Sequence, residues 1–429
     1  MRFNFLFKYY IILYYMNYVP PPPPCSLQPR YRYKIHDKLY DLTDFVKIHP
    51  GGTDMFDNLK PAYGITSNTS SGTSIPEEVL AETNITPMIY AYHKNPKTIL
   101  AMLPKYEVSS TNAKTDLIKI EYDTNYTYDK YCELKKLVYD EIHEKKIPLY
   151  WSNNEITYNA FMLFMYLGMW GYCFWNANNL SYWWMVLLGL FTTSWGTLIF
   201  HEASHYSAFN HQQYNVLISQ YYPFADINYW KYNHNYLHHS FTNTEYDHDT
   251  SFVMPIFRVL NNQKLMYHHK YQHIYIWIFN FFAGIFPQKN TFFNILSTHK
   301  YCLFLFLFFF NFRYILTFYI AFSFIWMSSV LLPHFQDDII TKIGDDFLYN
   351  QVSNTINYKT NNIIRFIVYG VDIQIEHHLF PNIPHSSLRQ IQHIVRDYCT
   401  KNDIPYIEKP SIFPTIYSYI CYLYKMGEQ

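Results

Sequence analysis

The feature that most constrains this chain is an uncharged run of 45 residues, positions 156–200, which contains no Asp, Glu, Lys or Arg. Asn176, Asn178 and Asn179 interrupt the run near its middle. Because about 20 apolar residues cross a bilayer, the run predicts two transmembrane helices joined by a tight polar turn. The composition agrees, since 21% of the residues are aromatic and only 15% are charged, compared with roughly 25% charged in ordinary soluble domains.

A second apolar block, at residues 292–333, is interrupted by Lys300 and, at its centre, by Asn311 and Arg313. It predicts another helical hairpin and brings the expected number of crossings to four. The uncharged run at residues 274–288 has only 15 residues and contains Pro287. That run is therefore expected to form an interfacial or re-entrant segment.

Basic residues predict the orientation of these helices. Two crossings per hairpin leave the N-terminal region, the loop at residues 201–291 and the C-terminal region on the same side. The loop carries five Lys or Arg residues and the tail from His334 carries eight, whereas the two short turns carry one between them. The positive-inside rule therefore places the three large regions in the cytosol.

Composition and motifs also disfavour several kinds of function. The 33 basic and 33 acidic residues give no electrostatic reason to expect nucleic acid. The six cysteines stand far apart with no CxxC motif, which predicts reduced thiols rather than a zinc cage or a disulfide framework. Because no GxGxxG or phosphate-binding loop is present, any NAD(P)H is expected to act through another protein.

Histidines carry the main chemical signal. The chain has 20 of them, and three groups follow or lie near predicted membrane segments. The groups are HEASH, with His201 and His205; HNYLHH, with His234, His238 and His239; and QIEHH, with Gln374, His377 and His378. Residues three or four apart share one face of an α-helix, so each group can aim its imidazoles at one point.

Such a donor set predicts a site for two metal ions. Neutral imidazoles without thiolates suit iron, copper or zinc, and seven or more nitrogens exceed what one ion holds. Four nearby carboxylates are placed either to accept hydrogen bonds from ring N–H groups or to remain solvated charges. These carboxylates belong to Glu202, Glu376, Asp247 and Asp249.

The segments HEASH, HNYLHHSFTNTEYDHD and GVDIQIEHHLFPNIP resemble the three histidine boxes of membrane fatty acid desaturases. The Gln of the third box resembles front-end and sphingolipid desaturases, and the resemblance covers most of residues 151–412. It implies two non-haem irons that activate O2 to remove two hydrogens from an acyl chain. It also implies a further ligand after the last crossing, where His334 lies in a PHF context in place of the family's NHF.

The resemblance thus implies nine residues at the irons, and the other histidines in this part of the chain are expected to lie outside the site. The nine are His201, His205, His234, His238, His239, His334, Gln374, His377 and His378. The histidines expected outside are His211, His248, His269 and His273.

Near the N-terminus, LYDLTDFVKIHPGG resembles the core of cytochrome b5. The resemblance implies haem b with His49 as one axial ligand, beside a close turn that Gly51 and Gly52 permit. His93, the only histidine between residues 50 and 142, is the implied second ligand. It follows His49 by 44 residues, more than is usual in the family, and the polar loop at residues 64–76 can absorb the excess at little entropic cost. A remnant that binds no haem is the alternative.

These observations predict a mainly α fold, in which a small α+β cytochrome b5-like domain precedes an integral membrane four-helix desaturase core with cytosolic histidine-box helices. The expected divisions are an apolar and Pro-rich segment (residues 1–30), the haem domain (31–110), a linker (111–150) and the desaturase domain (151–429). For residues 1–30, an interfacial anchor, an uncleaved signal and a misassigned gene start remain alternatives. After the third box, SLRQIQHIVRDY predicts a capped amphipathic helix.

The expected enzyme is an oxygen-dependent acyl-chain desaturase of the endoplasmic reticulum, with front-end selectivity. Its expected partners are an acyl lipid or acyl-CoA, O2 and an NAD(P)H-dependent cytochrome b5 reductase. Sphingoid-base desaturation and lipid hydroxylation are the alternatives among enzymes, and a membrane-bound haem electron carrier without di-iron activity is the alternative of a different class.

Overall fold

The computed structural model describes residues 31–59, 83–108, 126–220, 222, 224–225, 227–282, 310–339 and 344–428. Three features of the sequence analysis lie outside these ranges: residues 1–30, the polar loop at 64–76, and the first crossing of the second hairpin, from about residue 292. The described part is mainly helical, as predicted.

The N-terminal unit combines a small hairpin with short helices. Strands β1 (Arg32–Ile35) and β2 (Lys38–Asp41) are antiparallel, with Tyr33 opposite Tyr40. The helices that follow are α1 (Thr43–Val46), α2 (Asp54–Asn58), α3 (Thr86–Tyr92) and α4 (Pro96–Met102), the last continued by a 3-10 turn, Leu103–Tyr106. The unit encloses a core to which the buried side chains of Tyr33, Ile35 and Val46 contribute.

The rest of the described chain is helical except for one short pair of parallel strands, β3 (Asn357–Tyr358) and β4 (Glu408–Lys409). Its α-helices are α5 (Asp129–Glu144), α6 (Asn153–Trp175), α7 (Tyr182–Phe191), α8 (Thr197–Ser204), α9 (Gln212–Gln220), α10 (Ile227–Trp230), α11 (His239–Phe241), α12 (His248–Phe252), α13 (Gln272–Phe282), α14 (Phe312–Leu331), α15 (Phe347–Ser353), α16 (Asn362–Ile367), α17 (Gln374–Leu379), α18 (His385–Lys401) and α19 (Ile412–Glu428). Two π-helical segments, Thr192–Gly196 and Lys231–His238, and a 3-10 turn, Tyr267–Tyr271, complete it.

Two of the described helical segments are long and apolar enough to cross a membrane, Tyr182–Ser204 and Phe312–Leu331. The first is α7 and α8 joined by the π segment between them. Helix α6 precedes it as the first half of the uncharged run, and its side chains Phe164 and Leu167 are 74% and 59% exposed. Large apolar side chains on the outside of a 23-residue helix suit contact with lipid.

The uncharged run at residues 274–288 contributes the short helix α13, which packs against α14 and α19. Ile276 is buried in these contacts, whereas Ile274 and Ile278 are 59% and 62% exposed. The remaining residues of the run, 283–288, lie outside the described ranges.

A layer of helices packs beside the histidine-rich region. Helix α5 lies against α15 and α18, and its residue Leu134 belongs to the same buried cluster as Leu388, Ile391 and Val395 of α18. The amphipathic helix predicted after the third box is therefore present with its apolar face inward. The predicted side-chain cap is absent. The residue at the N-cap position is Pro384, and its side chain makes no hydrogen bond to the first turn.

Helices α7 and α14 approach each other closely at Gly189. A Cβ atom there would lie 2.6 Å from the carbonyl oxygen of Phe318 and 3.1 Å from Cβ of Ala321. Backbone cannot move away as a flexible side chain can, so a larger residue must separate the two helices.

We therefore expect Gly189→Leu to destabilise the protein by about 1–3 kcal/mol. Thermal unfolding of the purified protein in detergent would measure the loss. Gly171→Leu is the matched control, because a Cβ atom at Gly171 meets nothing within 4 Å. Equal melting temperatures for the two variants would contradict the close approach of α7 and α14.

Candidate metal centre

The first histidine box lies at the end of the membrane-spanning segment Tyr182–Ser204. His201 is in the last turn of α8, and His205 is the residue at which the helix ends. Tyr206 follows with a left-handed φ of 60° and turns the chain away. Both imidazoles are therefore held at the membrane exit of a rigid helix.

The second box does not form the α-helix that its spacing predicted. Residues Lys231–His238 form a π-helical segment, and α11 begins at His239. In a π-helix the backbone hydrogen bonds join residues five rather than four positions apart, and the wider turn places His239 as well as His238 beside His234. The ring centroids of His238 and His239 lie 5.2 Å and 4.9 Å from that of His234.

The third box forms the short helix α17, and His334 follows α14 in a turn. The backbone carbonyl of His334 accepts a 2.6 Å hydrogen bond from the side chain of Asn243. The backbone amide of Asn243 in turn donates to the carboxylate of Asp247 at 2.8 Å. The loop after the second box thus fixes the position of His334.

All nine residues implied by the resemblance come together in one buried cluster. His201, His205, His234 and His377 form one group and His238, His334 and His378 a second, and within each group the candidate ligand atoms lie within 4.8 Å of one another. His239 lies between the groups, with its ring centroid 4.5 Å from that of His205 and 4.4 Å from that of His378. Nε2 of Gln374 lies 3.2 Å from Nε2 of His334 and 3.3 Å from Nε2 of His378.

The donor atoms in this cluster fit metal ions. Nε2 of His201 lies 3.0 Å from Nε2 of His234. Two nitrogens that bind the same ion at about 2.1 Å, with a right angle between the two bonds, lie about 3 Å apart. Within the described residues, Nε2 of His205 and both ring nitrogens of His239 and His377 are buried without a hydrogen-bond partner. Buried polar atoms are rarely left unpaired unless something else binds them.

Burial also sets the protonation state of these rings. It lowers the pKa of His205, His234, His239, His334, His377 and His378 well below the usual value, and the neighbouring imidazoles lower it further. A neutral imidazole is the form that binds metal. His238 differs, because the charges of Asp247 and Asp249 outweigh its burial and raise its pKa to about 9.

A family model for fatty acid desaturases matches residues 177–410, the part of the chain that contains all nine residues. The chain belongs to the fatty acid desaturase family. It is an enzyme that desaturates fatty acids, and the match covers more than half of its 429 residues.

Named relatives of the desaturase are similar over most of its length. An acyl-lipid (8-3)-desaturase of Physcomitrium patens is 25% identical over 92% of this chain and 87% of the relative. A Delta(8)-fatty-acid desaturase of Borago officinalis is 24% identical over 87% and 85% of the two chains. An sn-1 linoleoyl-lipid 6-desaturase of a Synechocystis strain is 24% identical over 53% of this chain and 75% of its own. These relatives support the front-end type.

Several candidate ligands of the desaturase have a second hydrogen-bond partner of the kind that orients metal-binding imidazoles. Nδ1 of His238 lies 3.0 Å from a carboxylate oxygen of Asp247, as the sequence analysis anticipated. Nδ1 of His378 lies 3.1 Å from the side-chain oxygen of Gln351. Local spacing gave no signal for Gln351, which reaches the site from α15.

Glu202 serves a histidine that the sequence analysis did not single out. Its Oε1 accepts from the backbone amide of His385 at 2.8 Å and lies 2.9 Å from Nδ1 of the same residue, while Oε2 accepts from the indole of Trp151. The ring of His385 lies 5.1 Å from that of His377, nearly parallel to it. Gly370 makes room for this ring, since a Cβ atom there would lie 3.0 Å from Cδ2 of His385.

The other two anticipated carboxylates behave differently. Glu376 accepts from the amide of Asn357 and the hydroxyl of Tyr406, so it orients no imidazole. Asp249 lies close enough to His234 and His238 to form a third group of possible ligand atoms, which the resemblance did not imply.

Histidines expected outside the site have other partners. Nε2 of His269 lies 2.9 Å from the carbonyl oxygen of Pro255, and Nδ1 accepts from the Met266 amide. His248 contacts the hydroxyl of Tyr229. Neither these two nor His211 and His273 belong to any of the histidine and carboxylate groups found among the described residues.

In the N-terminal unit, the ring centroids of His49 and His93 lie 6.1 Å apart with their planes at 80°. Nδ1 of His93 lies 3.1 Å from the carbonyl oxygen of Ile89, and Nδ1 of His49 lies 3.3 Å from that of Gly52 and 3.2 Å from the amide nitrogen of Gly51. When Nδ1–H donates to a carbonyl, Nε2 is the nitrogen left for a metal. Burial lowers the pKa of both rings, that of His93 to about 4.

The geometry of the HPGG turn requires glycine at both Gly51 and Gly52. A Cβ atom at Gly51 would lie 2.9 Å from Cε1 of His49, and Gly52 has a φ of 77°. A side chain at either position would displace the ring or strain the backbone. The turn is therefore built to bring the backbone close beside His49.

We expect His334→Ala to lower the non-haem iron content of the purified desaturase, because it removes a nitrogen from the second group of candidate ligands. The expected loss in metal affinity is at least about 10-fold, since even indirect partners of metal ligands cost that much. Iron analysis of folded protein, separated from aggregate, would measure it.

His269→Ala is the control, because both ring nitrogens of His269 bond to backbone away from the cluster. It should lower stability but leave iron per folded chain unchanged. Iron loss in His269→Ala and not in His334→Ala would show that the extra ligand had been assigned to the wrong histidine.

Proposed function

We propose that the protein is a front-end desaturase, which places a double bond between an existing one and the carboxyl end of an acyl chain. Membership of the family establishes fatty acid desaturation. The observation that carries the proposal is the single buried cluster of eight histidines and Gln374, in which Gln374 replaces the first histidine of the third box.

The chain's own residues divide into two ligand sets in this proposal. His201, His205, His234 and His377 would hold one non-haem iron, and His238, His334, His378 and Gln374 would hold the other. His239 lies between them and can serve either. When bound, the two irons supply the activation of O2 and the removal of two hydrogens from the acyl chain.

Gln374 is the residue that distinguishes this donor set. Its amide contributes an oxygen or a nitrogen atom at the position that faces Nε2 of His334 and Nε2 of His378. Rotation of the amide by 180° exchanges these atoms, so the oxygen can face a metal. A neutral oxygen ligand in place of an imidazole leaves one iron more weakly held than the other.

The N-terminal unit is proposed as a cytochrome b5-like domain that binds haem b through His49 and His93. The support is the close approach of the two rings, the contact of each Nδ1 with a backbone carbonyl and the glycine turn beside His49. Haem held by these two residues would supply one-electron transfer, with an NAD(P)H-dependent cytochrome b5 reductase as the electron donor. Acyl lipid or acyl-CoA and O2 are the remaining reactants.

Contacts between the N-terminal unit and the second box support their location on one side of the membrane. Tyr236 of the π segment donates a 2.9 Å hydrogen bond to the carbonyl of Asn84. Lys231 of the same segment forms a buried ion pair with Asp54 of α2. With four crossings, this common side is proposed as the cytosolic face of the endoplasmic reticulum.

Product analysis tests the front-end assignment. In a host supplied with polyunsaturated fatty acids, the expected product carries one additional double bond on the carboxyl side of the existing ones. Gln374→Ala is expected to reduce its yield by about 10-fold or more, because it removes a metal-facing group. Gas chromatography with mass spectrometry of the total lipids would measure both.

The surface variant His143→Ala is the matched control for expression and should match the wild type. A product desaturated only toward the methyl end would overturn the front-end assignment. A hydroxylated acyl chain would instead indicate a lipid hydroxylase, and a modified sphingoid base would indicate a sphingoid-base desaturase.

The haem assignment has its own test in the full-length protein. We expect His49→Ala and His93→Ala each to abolish the low-spin bis-histidine absorption spectrum, because each removes one of two axial ligands. His143→Ala should leave the spectrum unchanged. An unchanged spectrum in His93→Ala would exclude His93 as the second ligand.

A further inference from the structure

We propose that Tyr92 is a positioning residue that joins the two candidate cofactor sites, because its backbone precedes His93 and its hydroxyl bonds His205. The inference rests on the proposed function, in which His93 binds haem and His205 binds iron. No motif in the sequence marks Tyr92, and the contact joins residues 113 positions apart.

The contact is a direct hydrogen bond. The hydroxyl oxygen of Tyr92 lies 2.8 Å from Nδ1 of His205, and the two rings are nearly parallel at 20°. Nε2 of His205 is buried and has no hydrogen-bond partner among the described residues. In the tautomer that offers Nε2 to a metal, Nδ1–H donates to the Tyr92 hydroxyl, which is the arrangement that orients metal-binding histidines.

The end of helix α3 is held in place from the desaturase side. Lys135 of α5 donates to the carbonyls of Tyr90 and Ala91, the latter at 3.0 Å. Asn382, which follows the third box, donates to the carbonyl of Tyr92 at 3.0 Å. Three consecutive carbonyls at the C-terminus of α3 therefore have partners outside the N-terminal unit.

A second contact lies next to the first. Tyr206, the residue after His205, donates a 2.5 Å hydrogen bond to Asp54 of α2. His205, the last residue of the first box, and the following Tyr206 thus both contact the N-terminal unit, through a ring nitrogen and a phenol. Such paired contacts limit the rotation of His205 about the end of α8.

This arrangement provides a short connection between the two sites. From His93 it runs through one peptide bond and the Tyr92 side chain, and then through a single hydrogen bond to His205. Removing two hydrogens from an acyl chain while reducing O2 to two waters takes two further electrons and two protons. A single haem held by His93 would supply these electrons one at a time, so the reductase would have to provide two for each double bond.

The test is Tyr92→Phe, which removes the hydroxyl and keeps the ring. We expect haem per chain and the haem spectrum to match the wild type, while the affinity for non-haem iron falls about 10- to 100-fold. With iron in excess, reoxidation of the reduced haem in the presence of O2 and acyl substrate should slow by about 10-fold or more. Metal titration and stopped-flow absorption of the haem would measure these changes.

Tyr90→Phe is the matched control. Tyr90 lies in the same helix, and its hydroxyl contacts Nε2 of His36 at 3.4 Å, away from the histidine cluster. It should retain both iron affinity and haem reoxidation. Equal effects of the two substitutions, or loss of haem together with iron in Tyr92→Phe, would show a general structural role and overturn the inference.

The remaining outcomes separate this inference from the proposed function. Unchanged iron affinity and reoxidation in Tyr92→Phe would overturn the inference alone. A wild-type protein with non-haem iron but no haem would overturn the haem assignment, and the iron titration of Tyr92→Phe would still decide the role of the hydroxyl. A wild-type protein without non-haem iron would overturn both.

Discussion

The constraint that governs this structure is the free-energy cost of burying imidazole nitrogens that have no hydrogen-bond partner. Within the described residues, Nε2 of His205 and both ring nitrogens of His239 and His377 have no hydrogen bond, and each such group costs about 1–3 kcal/mol. Burial, with a smaller contribution from the neighbouring imidazoles, lowers the pKa of most of these rings and keeps them neutral. The surrounding helices hold these rings together in spite of this cost, which bound metal ions would offset by taking the unpaired nitrogens.

Two departures from regular helix make the cluster possible. The π segment at Thr192–Gly196 lies in the helix that ends at the first box, and the π segment at Lys231–His238 contains most of the second. A π turn changes which residues share a helix face, so His239 joins His234 on the side of the cluster. Hydrogen bonds from Asn243 and Gln351 then fix His334 and His378, which lie on separate elements.

The sequence alone predicted the residues of the cluster but not all of the contacts that orient them. Eight of the nine candidate ligands could be predicted because they form short motifs beside recognisable membrane segments, and His334 was implied by the resemblance to the desaturase family. The pairs Glu202–His385 and Tyr92–His205 could not, since their members are 183 and 113 residues apart and no local period connects them. The π-helical form of the second box was also missed, because the four-residue spacing of His234 and His238 is equally that of one face of an α-helix.

The contact between the N-terminal unit and the desaturase region has the character of a specific docking surface rather than a stabilising one. Lys231 is 1% exposed and pairs with Asp54, and a buried ion pair contributes little net stability because desolvation of the charges opposes their attraction. A shift of the N-terminal unit against the desaturase region would leave the Lys231 charge buried and unpaired, which is strongly unfavourable. Since Lys231 begins the π segment that carries the second box and Asp54 follows the HPGG turn, the pair favours one alignment of the two sites over all others.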